Sequence, residues 1–285
     1  MKTYFDIQGD GGSNVVGQVE ALHGAIGQAL SGVRNLLAVG SGKGGVGKST
    51  LTMALARAMC REGRRVAILD GDFNGPCQAR LAGLEARPWI PGDGGLEMPR
   101  NAEGIGVVSF GSLLGEASPL EIDSVAPDEQ QTWRATREFA MLGQLLAGVA
   151  WGELDVLLFD LPPGSERTIQ FAQFLPGPTA FVMVTIPSDL SRGVVARSIT
   201  ALEDTESRLL GHVENMSGYY CEGCDSVRPL FPAPAEALTS TCLGSIPFDP
   251  KLAAPQDTES VSDSPALRAV ADTARRILDT LEANP

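Results

Sequence analysis

Basic side chains are scarce in this sequence. Its 285 residues carry 22 lysines and arginines against 35 aspartates and glutamates, a formal net charge of −13, and only two histidines, His23 and His212. An acidic surface repels phosphate backbones and anionic lipid headgroups, so neither nucleic acid nor a membrane is expected as the main partner. Long apolar runs are also missing: none approaches the roughly 18 residues that a spanning helix needs. The opening MKTYFDIQGDGG lacks the basic, apolar and small-residue succession of a secretory leader, and a cytoplasmic protein is expected. Cysteine is limited to Cys60, Cys77, Cys221, Cys224 and Cys242. An odd number in a chain large enough to bury a full core excludes a disulfide framework and favours reduced thiols.

Against these absences stands a regular alternation of strand and helix signals. Residues 1 to 33 open with the glycine-rich GDGGSNVVG and a weakly helical stretch, and read as a flexible lead-in to a domain over 34–285. Apolar strand-like runs follow at NLLAVGS (35–41), RVAILD (65–70), GIGVVSF (104–110), LDVLLFD (154–160), TAFVMVTI (179–186), LLGHVEN (209–215) and CLGSIPF (242–248), most separated by helical patterns. Strands that are apolar throughout belong to a sheet covered on both faces, so the expected fold is α/β, a doubly wound and mostly parallel sheet flanked by helices. Two Pro-, Gly- and acid-rich segments, 88–99 and 118–131, interrupt the rhythm, and the last residues form an amphipathic helix with Leu267, Val270, Ile277, Leu278 and Leu281 on one face.

SGKGGVGKST at 41–50 places Gly42, four residues, then Gly47, Lys48 and Ser49 between a strand and a helix, the context a phosphate-binding loop requires. The backbone N–H groups of Gly44, Gly45, Val46 and Gly47 can turn toward a phosphate chain, with the following helix N-terminus at Ser49 and Thr50 adding its dipole. Lys48 would neutralise the outer phosphates and the Ser49 hydroxyl would hold Mg²⁺; the resemblance described next implies ATP as the nucleotide. Of only four lysines in the chain, Lys43 and Lys48 both lie in this loop; elsewhere the chain uses arginine, so the compact ammonium is kept where a phosphate cradle needs it.

The loop resembles the deviant phosphate loop, KGGVGKS, of the MinD/Mrp class of ATPases. That resemblance implies that Lys43 reaches across a homodimer interface to the partner's nucleotide. LDGDFNGP at 69–76 ends a strand in Asp70 and Asp72 and matches the Asp-x-Asp and Gly-Pro switch of the same class, with Asp72 the candidate for positioning the attacking water. LLFDLPPG at 157–164 puts Asp160 in the Walker B position, where it would bind a Mg²⁺ water, and Gly164 near the γ-phosphate. Acids at the carboxyl edge of one parallel sheet mark its site.

Cys221 and Cys224 stand two residues apart in VENMSGYYCEGC. The spacing alone is compatible with half of a zinc site, half of an iron–sulfur site, a redox dithiol or coincidence. Two thiolates close neither kind of metal site, and the dimer implied by Lys43 would supply the other two, the usual number for a 4Fe-4S cluster. Cys60 and Cys242 read as core residues, and Cys77 has no assigned role.

Together with SFGSLL (109–114), the WRATREFAM and WGELDVLLFDLPPG stretches, VENMS and LGSIPFDPKL (243–252), these motifs make the chain similar to the Mrp/ApbC group of cytosolic Fe–S cluster carrier ATPases over roughly residues 33–280. The resemblance implies that Asn215 lies by the adenine, that a labile 4Fe-4S cluster is carried between two copies, and that apoproteins receive it. The chain departs from the group at PPGSER (162–167), where Glu166 and Arg167 replace a Gly and an acid, and in an eroded segment between Pro250 and Pro265. The alternative is a MinD/ParA-like positioning ATPase with a structural cysteine pair. A second, an electron-transfer ATPase like the nitrogenase iron protein, fits a paired motif less well. The balanced charges of the terminal helix favour packing on its own domain over membrane binding.

Overall fold

The central strands are apolar along most of their length because their alternate side chains feed two different cores. The computed structural model describes residues 15–85, 89–92, 94–109, 130–177, 179–205, 207–232, 237–253 and 264–283. In chain order the elements are α1 (Val15–Ala29), β1 (Leu36–Ser41), α2 (Lys48–Arg61), β2 (Val66–Asp70), α3 (Gln78–Leu81), β3 (Ile90–Gly92), β4 (Gly95–Glu97), β5 (Gly106–Val108), α4 (Gln130–Gly148) and β6 (Val156–Asp160). They continue with α5 (Ser165–Phe174), β7 (Ala180–Thr185), α6 (Asp189–Glu203), β8 (Arg208–Cys221), β9 (Ser226–Pro229), β10 (Cys242–Phe248), a 3₁₀ turn (Pro250–Ala253) and α7 (Pro265–Ala283).

The main sheet runs β10-β8-β7-β1-β6-β2-β5, all parallel, and β9 joins β8 antiparallel. Leu37, Val39, Val66, Ile68, Val156 and Leu158 point into one core with α2 and α7, while Ala38, Ala67, Leu69, Leu157 and Phe159 point into the other with α1, α4, α5 and α6. The fold is thus the mostly parallel, two-sided sheet that the sequence indicated. β1 lies between β6 and β7, so the chain reverses direction of winding there, and ligand sites in such sheets open at the carboxyl end of that point.

Several boundaries differ from the sequence reading. The stretch taken as a flexible lead-in is helical over Val15–Ala29, because Leu22, Ile26 and Leu30 share one face and bury against α4; residues 1–14 lie outside the described residues. The 88–99 excursion is partly a small hairpin, β3 with β4. Residues 110–129 and 254–263, which include most of SFGSLL, of the 118–131 segment and of the eroded segment, lie outside the described residues. The terminal helix α7 does pack on its own domain: Ala266, Val270, Ala274, Ile277, Leu278 and Leu281 are buried against β10 and α2. Among the described residues no helix is long and apolar enough to cross a membrane.

Candidate functional site

β1 ends at Ser41, and the backbone turns through the glycines to start α2 at Lys48. Gly47 caps that helix with φ 78°, a left-handed conformation open to glycine, and a side chain there would collide with the Asn215 amide. Asn215, buried on β8, donates from Nδ2 to the Val46 carbonyl at 2.9 Å. The next residue, Met216, is one of two non-glycine residues at positive φ among those described, at 54°. Such strain persists only where the surroundings impose it, and here β8 bends to bring Asn215 under the phosphate loop. Gly44 and Gly45 are exposed at the loop's crest, Val46 is buried beneath it, and Ser49 and Thr50 open the first turn of α2, partly buried.

Lys48 is buried and its ammonium is ion-paired with Asp160, which ends β6 and is fully buried. The same ammonium donates to Ser49 Oγ at 3.1 Å, and Thr52 Oγ1 lies 3.3 Å from Asp160 Oδ1. The other Asp160 oxygen accepts from Gln78 Nε2 at 2.7 Å, and that nitrogen also donates to the Ser49 carbonyl at 3.0 Å. Both partners of Nε2 are acceptors, which fixes which end of the amide is nitrogen. The Gln78 Oε1 is buried with no hydrogen-bond partner.

Asp70, at the end of β2, stands opposite Asp160 in register. Burial, and then the Asp160 charge, push its carboxyl up to about 7. Donors from Cys77 N (2.9 Å), Gln78 N (3.0 Å) and Ser109 Oγ (3.1 Å) work against that shift. Asp72 faces its own loop, accepting from Gly75 N at 3.2 Å. Gly164 N donates to the Ser41 carbonyl at 2.9 Å, tying the second switch to the phosphate loop. The buried face of Gly42 lies against α6, where an added Cβ would meet Val194 Cγ1 at 2.7 Å. The Lys43 side chain makes no hydrogen bond or ion pair within the described residues, so its ammonium is uncommitted.

The departures at 166 and 167 have a structural account. Arg167 pairs with buried Glu138 of α4, donates to Gln170 Oε1 at 2.9 Å and lies over the rings of Phe139 and Phe171. Its guanidinium is therefore committed to α4, and Glu166 accepts from Gln170 Nε2 at 3.4 Å.

The cysteine pair sits apart from these groups but on the same strand as Asn215. β8 runs on past the boundary at 215 to Cys221 and returns as β9, so Cys221 and Cys224 occupy the tip of a hairpin rather than a loop before an irregular stretch. Cys224 is exposed; Ser226 Oγ at 3.1 Å and Arg228 Nε at 3.4 Å from its sulfur, with Cys221 nearby, lower its pKa to about 7. Exposed Tyr219, Tyr220, Val227, Leu230 and Phe248 surround the hairpin. Cys60 is partly buried in the core with its thiol pushed up to about 11 by burial. Cys242 differs from the core assignment: it opens edge strand β10 and is exposed, because the strand's core-facing positions begin at Leu243. Burial raises the Cys77 thiol, partly offset by a hydrogen bond to Ser49.

Sequence reasoning missed Gln78, Thr52, Ser109 and Glu138. Only Gln78 left a trace, a polar residue at a wholly buried position straight after the Gly-Pro switch, and single-sequence patterns do not show burial.

Comparison with known proteins places this arrangement. The family model described as ParA, NUBPL iron-transfer P-loop NTPase, matches residues 32–281. An iron-sulfur cluster carrier protein of Saccharolobus solfataricus is 34% identical over 278 residues, covering 94% of this chain and 90% of that protein. The human cytosolic Fe-S cluster assembly factor NUBP2 is 36% identical over 274 residues, covering 89% and 96%. Among solved structures, a nucleotide-binding protein of Archaeoglobus fulgidus in complex with ADP superposes with a TM-score of 0.67 at 32% identity, over 92% of this chain and 94% of that one. The cell division ATPase MinD of Pyrococcus furiosus shares the fold, with a TM-score of 0.58 at 19% identity over 87% and 99%.

Proposed function

Because this chain belongs to the ParA-type, NUBPL iron-transfer P-loop NTPases, we propose that it is an ATP-hydrolysing homodimer in the cytosol that holds a 4Fe-4S cluster between two copies and delivers it to apoproteins. The observation that carries the reading is β8, a single strand that braces the phosphate loop through Asn215 and ends at Cys221. Nucleotide state and cargo thiols are thereby joined by a short, hydrogen-bonded piece of sheet.

Each copy offers two thiols, and two copies supply the four thiolates that such a cluster takes. The exposed apolar side chains around the hairpin support pairing there, since large apolar groups gathered at a surface mark interaction sites. Lys43, with no hydrogen bond or ion pair among the described residues, is available to a partner's nucleotide. The relatives' names, an iron-sulfur cluster carrier and cytosolic Fe-S assembly factors, match the cargo and the compartment.

For hydrolysis, Lys48 gives up Asp160 for the outer phosphates, Asp72 orients water, and the loop amides with Gly164 hold the phosphate chain. Asn215, bonded to the Val46 carbonyl beside the phosphate loop, is the residue assigned to the base. The oxygen-rich set of Ser49 Oγ, Asp160 and the unpartnered Gln78 Oε1 fits Mg²⁺ and its waters. Ser49 would hold the ion and Asp160 one of its waters; bound magnesium neutralises the phosphates' developing charge.

The test is anaerobic reconstitution with iron and sulfide, followed by absorbance near 400 nm, Mössbauer spectra and transfer to an apoprotein. The expected outcome is about four irons per dimer in the wild type and none in the Cys221→Ser, Cys224→Ser double variant, with Cys77→Ser retaining the cluster. Tight zinc binding with no iron uptake would sink the carrier reading and leave a dimerising ATPase with a structural cysteine pair.

A further inference from the structure

Gln78 is the residue at the nucleotide site that the family motifs do not account for. It opens α3, immediately after the Gly-Pro switch, and is completely buried. Its Nε2 joins the phosphate-loop helix, through the Ser49 carbonyl, to the Walker B carboxylate, through Asp160 Oδ2. Its Oε1, on the same carbon, is buried with no partner. An unsatisfied buried amide oxygen costs about 1–3 kcal/mol, so a donor that arrives only with ligand would recover that cost.

The surroundings say what that donor is. Asp160 Oδ2, on the other side of the amide nitrogen, and Ser49 Oγ are the oxygens that hold a hard cation and its water in a phosphate-loop protein. A water polarised by Mg²⁺ is a strong donor, and Mg²⁺ keeps several of its waters when it binds. An apolar ligand would leave Oε1 unsatisfied, and a bare phosphate oxygen, itself an acceptor, would repel it.

We propose that Gln78 is a positioning residue of the magnesium site: its Nε2 keeps Asp160 in place when Lys48 turns to the phosphates, and its Oε1 accepts a hydrogen bond from a magnesium-bound water. The inference rests on the nucleotide-binding reading above. It also gives the first switch a direct hold on Walker B, since Gln78 N is bonded to Asp70 while its side chain is bonded to Asp160.

The experiment measures binding rather than turnover. A fluorescent ADP analogue is titrated into the full chain in EDTA and then over a Mg²⁺ series, and Mn²⁺ binding to the ADP complex is followed by EPR. Wild type is compared with Gln78→Leu and with the near-isosteric Gln78→Met, thermal melts reporting on folding. The expected result is unchanged nucleotide affinity in EDTA and a roughly 10–100-fold loss of Mg²⁺ and Mn²⁺ affinity in both variants, the usual effect of removing an outer partner of a metal site. Unchanged metal affinity, or an equal loss with and without metal, would overturn the proposal, the latter because it marks a packing role alone. Failure of the wild type to bind the analogue at all would count instead against the nucleotide reading.

Discussion

Asp70 and Asp160 face each other at the ends of β2 and β6, paired in parallel register, with one ammonium, that of Lys48, serving Asp160. Two buried carboxylates in such positions do not both ionise freely. Lys48 is bound to Asp160, and burial together with the facing Asp160 pushes the Asp70 carboxyl up to about 7.

Stability of the nucleotide-free protein therefore depends on this pair. Asp70 has a folded pKa above its unfolded one, so the folded state binds the extra proton; its contribution is full below about pH 4 and is lost as pH rises through about 7. Denaturant midpoints measured from pH 5 to pH 8 should fall in the wild type and change less in Asp70→Asn. An equally steep fall in the variant would assign the effect to another group.

Lys48→Ala removes the only cation paired with Asp160 among the described contacts. Breaking a buried pair from one side costs about 3–5 kcal/mol, so the nucleotide-free variant should melt several degrees lower. Nucleotide binding should be lost as well. Lys43→Ala, by contrast, removes a side chain with no hydrogen bond or ion pair among the described residues and should leave the melting temperature unchanged; in the proposed dimer it should abolish ATP-dependent association in light scattering.

At the hairpin tip, the Cys224 thiol is lowered to about 7 by Ser226, Arg228 and Cys221. In metal-free, reduced protein its alkylation rate should rise to half its plateau near pH 7, ahead of an ordinary thiol. Arg228→Ala should move that midpoint upward, as read by mass spectrometry of the modified peptide. A midpoint that stays put would show that Arg228 does not act on the sulfur.

The sheet's packing against α7 is close enough to be tested with one methyl group. A Cβ at Gly244 of β10 would run into the Thr273 hydroxyl, so Gly244→Ala should destabilise by about 1–3 kcal/mol. Ile277→Ala, in the same layer and fully buried, should cost about 2–5 kcal/mol. Urea titrations give both values.

Much of this was legible in the sequence because of where the residues lie. β1, β2, β6 and β7 are buried on both faces, so their apolar runs are uninterrupted, and the phosphate loop follows the first of them. The cysteine hairpin was less legible: past Asn215 β8 has only Gly218 buried and ends in the exposed Tyr219 and Tyr220, and the positive φ in the turn falls on Asp225, at 47°, rather than on Gly223. The early helix read as only weakly helical because Leu22, Ile26 and Leu30 are separated by glycines and polar residues that weaken the pattern. The Glu138–Arg167 pair could not be read at all, and Gln78 showed only as a polar residue just past the Gly-Pro switch, since they depend on partners 29 and 82 residues away.

Among the described residues β9 pairs with β8 alone, outside the path of parallel strands. The turn that carries Cys224 therefore hangs from the end of β8 like a handle, and its length and thiol spacing can be altered without touching the pairings of β7, β1, β6, β2 and β5, which frame the phosphate loop.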